Sequence, residues 1–163
     1  MTRAIFPGTF DPIHYGHIDI AKRAARIFDE IVVAVYDKPL KSLLFSPKTR
    51  MELAIKAFSN SGNIRVMGYN SLTVDCCRKI DAQVIVRGLR VFSDFEYEFR
   101  MALANHRLAP ELDMIAFMTH EEHTFLSSST VKEIAALDGD VSSMVPSHVN
   151  LALKNRYQEM GES

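Results

Sequence analysis

The chain has 163 residues, 47% of them hydrophobic and 24% charged, with no tryptophan and a formal net charge of −1. That length favours a single domain over residues 1–163 with a full core, and the near-neutral charge excludes an overall basic footprint for nucleic acid or an anionic membrane. The N-terminus lacks the apolar region and small-residue cleavage site of a secretory signal, and no stretch approaches the roughly 18 apolar residues of a membrane span, so a cytoplasmic protein is expected.

Ala4–Phe6 reads as a short strand that ends at Pro7-Gly8, where the backbone can turn sharply. Gly16–Phe28 follows with helical spacing of Ile18, Ile20, Ala21, Ala24, Ala25 and Phe28. Ile31–Tyr36, "IVVAVY", is a continuous β-rich run of the kind buried on both faces of a parallel sheet. In "SPKTRMELAIKAF", Ser46 is the expected N-cap of a second helix, with Pro47 at its first position. A third strand is expected over Asn63–Tyr69, a short helix over Leu72–Lys79, a fourth strand over Ala82–Gly88 and a helix over Asp94–Leu108. Asp113–Met118 reads as a fifth strand, and helices are expected at Ser129–Leu137 and Ser147–Glu159. Thr130-x-x-Glu133 reads as a capping box, and Phe58, Met67 and the Met114–Met118 run as core. The adjacent Cys76 and Cys77 fit neither a disulfide framework nor a redox pair and read as reduced, structural residues.

Strands alternating with helices predict an α/β fold, a doubly wound five-stranded parallel sheet. Ligands of such sheets bind beyond the carboxyl ends of the strands, where the strand order reverses. The segments that matter are therefore the turns at residues 7–16, 37–46, 69–73, 88–94 and 119–128.

In the first of them, "PGTFDPIHYGH" carries His14 and His17 around Gly16 at the start of a helix. Three readings stand side by side: a metal site, a decorated helix entrance, or a phosphate-handling turn in which His17 and Thr9 meet an anion at the helix N-terminus and Gly16 leaves a ligand room to approach. Zinc needs further ligands that the neighbouring sequence does not offer, and "HEEH" at His120–His123 lacks the spacing of a helical zinc motif, so no protein metal ligand is expected. The other turns add Lys38 and Lys41, then Arg87 and Arg90 around Gly88, then Ser127, Ser128, Ser129 and Thr130 at another helix start. Arg87 closes an apolar strand, where a buried guanidinium needs an anionic partner. Asp94, Glu96 and Glu98 match the dipole of their helix, or one of them meets a ribose hydroxyl. Two helix N-termini, a lysine loop and two arginines on one edge of the sheet point to a polyphosphate ligand.

"FPGTFDPIHYGH", "VIVRGLR…DFEYE" and "TFLSSSTVKEIA" together resemble the bacterial phosphopantetheine adenylyltransferases, collinearly over about residues 3–155. The resemblance implies a Rossmann-like enzyme that transfers AMP from ATP to 4′-phosphopantetheine, giving dephospho-coenzyme A and pyrophosphate in the penultimate step of coenzyme A synthesis. It implies Mg²⁺ with the ATP, direct in-line attack without a covalent enzyme intermediate, a homohexamer, and coenzyme A as a feedback ligand. By position, Thr9, Lys41 and Arg87 would bind phosphopantetheine, with Thr73 lining its pocket. Thr9, Phe10, His17, Gly88, Leu89, Arg90 and Glu98 would contact ATP, and His123, Thr124, Phe125, Leu126, Ser127, Ser128 and Ser129 would close over it. His17, Lys41 and Thr9 would be catalytic, His17 stabilising the five-coordinate α-phosphate. Related enzymes acting on nicotinamide mononucleotide or glycerol phosphate would share the first turn and differ in the acceptor pocket.

Overall fold

In the computed structural model, which describes residues 1–39 and 41–162, the chain forms one parallel sheet of order β3-β2-β1-β4-β5. The strands are β1 (Arg3–Gly8), β2 (Glu30–Tyr36), β3 (Ile64–Tyr69), β4 (Val84–Leu89) and β5 (Asp113–Met118). The helices are α1 (Tyr15–Ala24), α2 (Pro47–Ala57), α3 (Thr73–Ile80), α4 (Phe92–Leu108), α5 (Ser128–Ala136) and α6 (Ser147–Gly161), with a 3₁₀ turn at Glu121–His123. Leu40, in the expected second turn, and Ser163, the last residue of the expected domain, lie outside the described residues. Among those described, no helix is long and apolar enough to cross a membrane.

Alternate strand residues face opposite layers. Ala4, Phe6, Ile31, Val33, Val35, Val84 and Val86 pack with α1, α2, α5 and α6 on one face. Ile5, Ala34 and Ile85 meet Val74, Cys76 and Cys77 of α3, together with Ala109 and Leu112, on the other. Both cysteines are unbonded and buried, and burial pushes the Cys77 thiol up to about 12, as suits a structural residue.

The expected α/β fold holds, and the departures have local causes. Helix α1 stops at Ala24 rather than Phe28: residues 25–27 form a turn, and the Asn63 side-chain amide donates to the carbonyls of Ala25 and Phe28. The Met114–Met118 run is not uniformly core, because β5 is an outer strand of the sheet. Met114 and Phe117 pack inward, whereas Ile115, Ala116 and Met118 are exposed. Thr130 does not open α5. Ser127, with an extended backbone, is the N-cap, and its Oγ accepts from the Thr130 N–H at 3.0 Å. Ser46 caps α2 as expected, accepting from the Thr49 N–H at 3.2 Å.

The chain crosses the sheet between β3 and β4, so the strand order reverses between β1 and β4. Their ladder covers Ala4↔Val84 and Ile5↔Ile85, although both strands run further. Pro7 has no N–H to give to β4. Its carbonyl instead accepts from Arg87 Nη1 at 2.9 Å, and the opening above is where the expected site residues gather.

Candidate active site

The first turn is built by its histidines. His14 has extended backbone at the N-cap of α1, and its Nδ1 accepts from the Gly16 N–H at 3.1 Å. His17 Nδ1 accepts from the His14 N–H at 3.2 Å, and the two rings stack with centroids 3.7 Å apart. Accepting at Nδ1 fixes the neutral tautomer that carries its proton on Nε2. Burial lowers the His14 pKa to about 3, helped by the charges of Arg90 and His123. Burial also holds His17 well below the ordinary imidazole range, with His14, Arg87 and Arg90 adding to the effect. The helix-entrance and phosphate-turn readings are therefore compatible: the rings cap the helix through Nδ1 and keep Nε2–H as a donor.

Gly16 has a purpose beyond the one expected. A Cβ there would lie 2.9 Å from His14 Cε1 and 3.0 Å from its Nδ1, so the missing side chain also makes room for the capping ring. Gly8 is similar, because a Cβ would meet the Phe10 ring at 3.1 Å. Phe10 itself adopts a positive φ of 49° and packs edge-on against both Phe6 and His17.

Arg87 has the anionic partner that burial demands, but it is a side chain of α4. Its Nε and Nη2 donate to the two Glu98 carboxylate oxygens at 2.9 and 2.8 Å. Burial alone would lower the guanidinium pKa, and the Glu98 pair more than offsets it, leaving it above the ordinary value. The dipole and ribose readings both miss this role of Glu98. Asp94 is likewise engaged: it accepts from the Arg90 side chain and backbone N–H, and Arg90 Nη1 reaches the Leu126 carbonyl at 2.9 Å. Arg90 thus ties the start of α4 to the segment leading into α5.

Two clefts meet here. One, of about 350 Å³, is lined by Thr9, Phe10, His14, Gly16, His17, Gly88, Arg90, His123, Leu126 and Ser127–Ser129 among others. The other, of about 330 Å³, is lined by Tyr36, Tyr69, Thr73, Tyr97, Met101, Asn105 and Met114 among others. They share a wall of Pro7, Gly8, Thr9, Lys41, Arg87 and Glu98. Of the expected site residues, Lys38, Leu89, Glu96, Thr124, Phe125 and Thr130 line neither cleft. The Thr124 hydroxyl donates to the His120 carbonyl, and the Phe125 ring is exposed. The remainder converge.

Among the described residues no three His, Cys, Asp or Glu side chains are grouped as a metal site. His120 and His123 of the "HEEH" stretch face Asp19 and Glu122, respectively, each at 3.6 Å.

Sequence reasoning missed a layer of buried charge beneath the first turn. Arg50 is fully enclosed, and its Nη1 donates to the carbonyls of Thr9 and Tyr36, both at 2.7 Å. It sits three places after Pro47 in a helix that reads as amphipathic, where a lone arginine looks solvated. Tyr97, Met101 and Asn105 of the second cleft were also missed, because they become one face only once α4 forms.

Residues 5–134 match the family described as cytidylyltransferase-like. Among curated proteins, the chain is 50% identical to a phosphopantetheine adenylyltransferase of Herpetosiphon aurantiacus, an alignment covering 100% of this chain and 99% of that protein. It is 50% identical to one from Roseiflexus sp. over 96% of this chain and 98% of the relative. A third, from Methylococcus capsulatus, is 49% identical over 97% and 98%.

Proposed function

The chain belongs to the cytidylyltransferase-like family and, within it, to the phosphopantetheine adenylyltransferases, and we propose that its two joined clefts hold ATP and 4′-phosphopantetheine with the reacting phosphates meeting at the shared wall. The reaction is adenylyl transfer to 4′-phosphopantetheine in coenzyme A synthesis. The observation that carries the arrangement is the wall itself: Thr9, Lys41 and Arg87 face both clefts, where a donor phosphate and an acceptor phosphate must come together.

The first cleft suits the nucleotide. The N-termini of α1 and α5 bring backbone N–H groups and positive dipole ends to it, and Ser127–Ser129 add hydroxyls. The second cleft suits an extended acceptor, with the rings of Tyr36, Tyr69 and Tyr97 and the side chains of Thr73, Met101 and Asn105 along it. A phosphate monoester has a second pKa near 6, so the nucleophile is already largely dianionic at neutral pH and needs no general base. The barrier lies in bringing an anion to an anion, so positioning and charge screening carry the catalysis. His17 donates Nε2–H to the α-phosphate as it becomes five-coordinate. Lys41 and Arg87 hold the acceptor phosphate for in-line attack, Thr9 adds a hydroxyl, and no covalent enzyme intermediate forms.

The donor set of the clefts fits a magnesium ion that arrives on the triphosphate. The carboxylates lining them, Asp94 and Glu98, are each paired with an arginine, and phosphate oxygens and water satisfy Mg²⁺. When bound, the ion neutralises triphosphate charge. Coenzyme A, which contains the acceptor's pantetheine arm, would compete for the second cleft. Assembly as a homohexamer would cover the apolar residues that α4 and β5 expose.

The test is pyrophosphate release with Mg-ATP and either 4′-phosphopantetheine or nicotinamide mononucleotide. Release with the first alone is expected, and release with the mononucleotide alone overturns the acceptor assignment. In the same assay His17→Ala should lower kcat by about 10²–10³ with little change in the KM for ATP, since it removes a donor aimed at developing charge. A change confined to KM removes His17 from that role.

A further inference from the structure

Beneath the shared wall lies a carboxylate that the transfer reaction leaves unexplained. Asp11 belongs to the same turn as Thr9 and Phe10 and is 1% exposed. Its Oδ1 accepts from the Phe45 N–H at 2.9 Å, and its Oδ2 accepts at 2.9 Å from both the Leu44 N–H and Lys132 Nζ. These partners come from two separate segments of the chain. Leu44 and Phe45 close the loop that carries Lys41, which lines both clefts. Lys132 lies on α5, one turn after Ser128 and on the same face. Ser128 Oγ donates to the Pro12 carbonyl at 2.9 Å, so α5 is clasped to the first turn at two points.

The surrounding contacts hold the same junction. Arg50 donates to the carbonyls of Thr9 and Phe45, Arg156 Nε donates to the Leu44 carbonyl at 3.0 Å, and the Tyr157 hydroxyl donates to the Lys132 carbonyl at 3.2 Å. A buried carboxylate with three donors is fully satisfied and stiff. Displacing α5 must move Lys132, and through Asp11 that movement reaches Leu44 and the Lys41 loop.

We propose that Asp11 and Lys132 are positioning residues that couple the two clefts, so that a nucleotide against α5 sets the Lys41 loop for the acceptor phosphate. The proposal rests on the substrate assignment above. Coupling between two sites is reciprocal and typically amounts to 5–150-fold in affinity.

The test is calorimetric binding of 4′-phosphopantetheine to the full chain, with and without α,β-methylene-ATP, beside steady-state kinetics. In the unaltered protein the analogue should tighten acceptor binding by about 10-fold. Lys132→Met should bring that factor close to one and raise the KM for phosphopantetheine by a similar amount, with kcat changed by less than about threefold. Lys132→Arg should restore most of the coupling, because it keeps the ion pair. Asp11→Asn should behave like Lys132→Met, and the double variant should be no worse than either single one. If one single variant fails to fold, the other carries the same two outcomes. Unchanged coupling and KM in a folded Lys132→Met, whatever its Tm, overturn the proposal, as does a parent protein without coupling. A parent protein that releases no pyrophosphate with phosphopantetheine fails the substrate assignment instead, so the two failures are separable.

Discussion

A histidine can cap a helix and also meet a phosphate only if its two ring nitrogens divide the tasks, and His17 is set up to do so: Nδ1 accepts from the His14 N–H, which leaves the proton on Nε2. The division holds only while the ring is uncharged, because a protonated Nδ1 cannot accept. His14 obeys the same constraint through the Gly16 N–H, and its pKa near 3 keeps it neutral far below physiological pH. The consequence for stability has a definite sign. The unfolded chain takes up protons near pH 6.5 at these positions and the folded chain does not, so folding is favoured above pH 6.5 and loses stability as the pH falls toward the depressed native values. Each histidine contributes a slope that approaches about 1.4 kcal/mol per pH unit once the pH is well below 6.5 and the native ring is still neutral. His14→Asn keeps an N-cap acceptor and removes one titrating ring. Urea unfolding between pH 6.5 and 5 should show a slope shallower by about 1 kcal/mol per pH unit on average, since the unfolded ring is only half protonated at the upper end. A slope equal to that of the parent would mean that His14 is protonated in the native state.

Among the elements, α5 shows how a helix start is chosen. Four hydroxyl residues in a row, Ser127–Thr130, each have the chemistry of a cap. Reading the capping-box spacing of Thr130 and Glu133 picks the last of them, whereas the chain uses the first. The choice is made by the tertiary structure: Ser128 is drawn to Pro12 and Lys132 to Asp11, so the helix must already be formed over those residues. Ser127→Ala should therefore cost about 1 kcal/mol in urea unfolding, and Thr130→Ala distinctly less. The reverse order would move the helix start back to Thr130. The same logic explains what was legible beforehand. Strand runs such as "IVVAVY" and the Ser46-Pro47 helix start rest on local rules and are found where expected. Glu98 facing Arg87, Arg50 beneath Thr9 and Lys132 on Asp11 join residues 11, 41 and 121 apart in sequence, and no local rule brings them together.

At the scale of the molecule, α4 has two working faces. Glu98, Met101 and Asn105 look into the acceptor cleft, whereas Phe92, Phe95, Phe99 and Leu103 recur at helical spacing on a side that is exposed. Phe95 and Phe99 stack with centroids 5.7 Å apart, and Phe92 is 88% exposed. Beside them β5, the outer strand, exposes Ile115 and Met118. An apolar helix face next to an open strand edge is costly in water and prone to pairing, and a second copy of the chain would cover both at once. Phe95→Arg places a charge in the middle of that face, where burial against another copy would leave it unpaired. Light scattering after size exclusion should give a hexamer for the parent chain and a smaller species for the variant. Because α4 carries the acceptor-lining residues on its other side, the released species should also show a raised KM for phosphopantetheine, with the KM for ATP less affected. A parent chain that elutes as a monomer overturns the assembly, and a Phe95→Arg hexamer with unchanged kinetics places its contacts on another face.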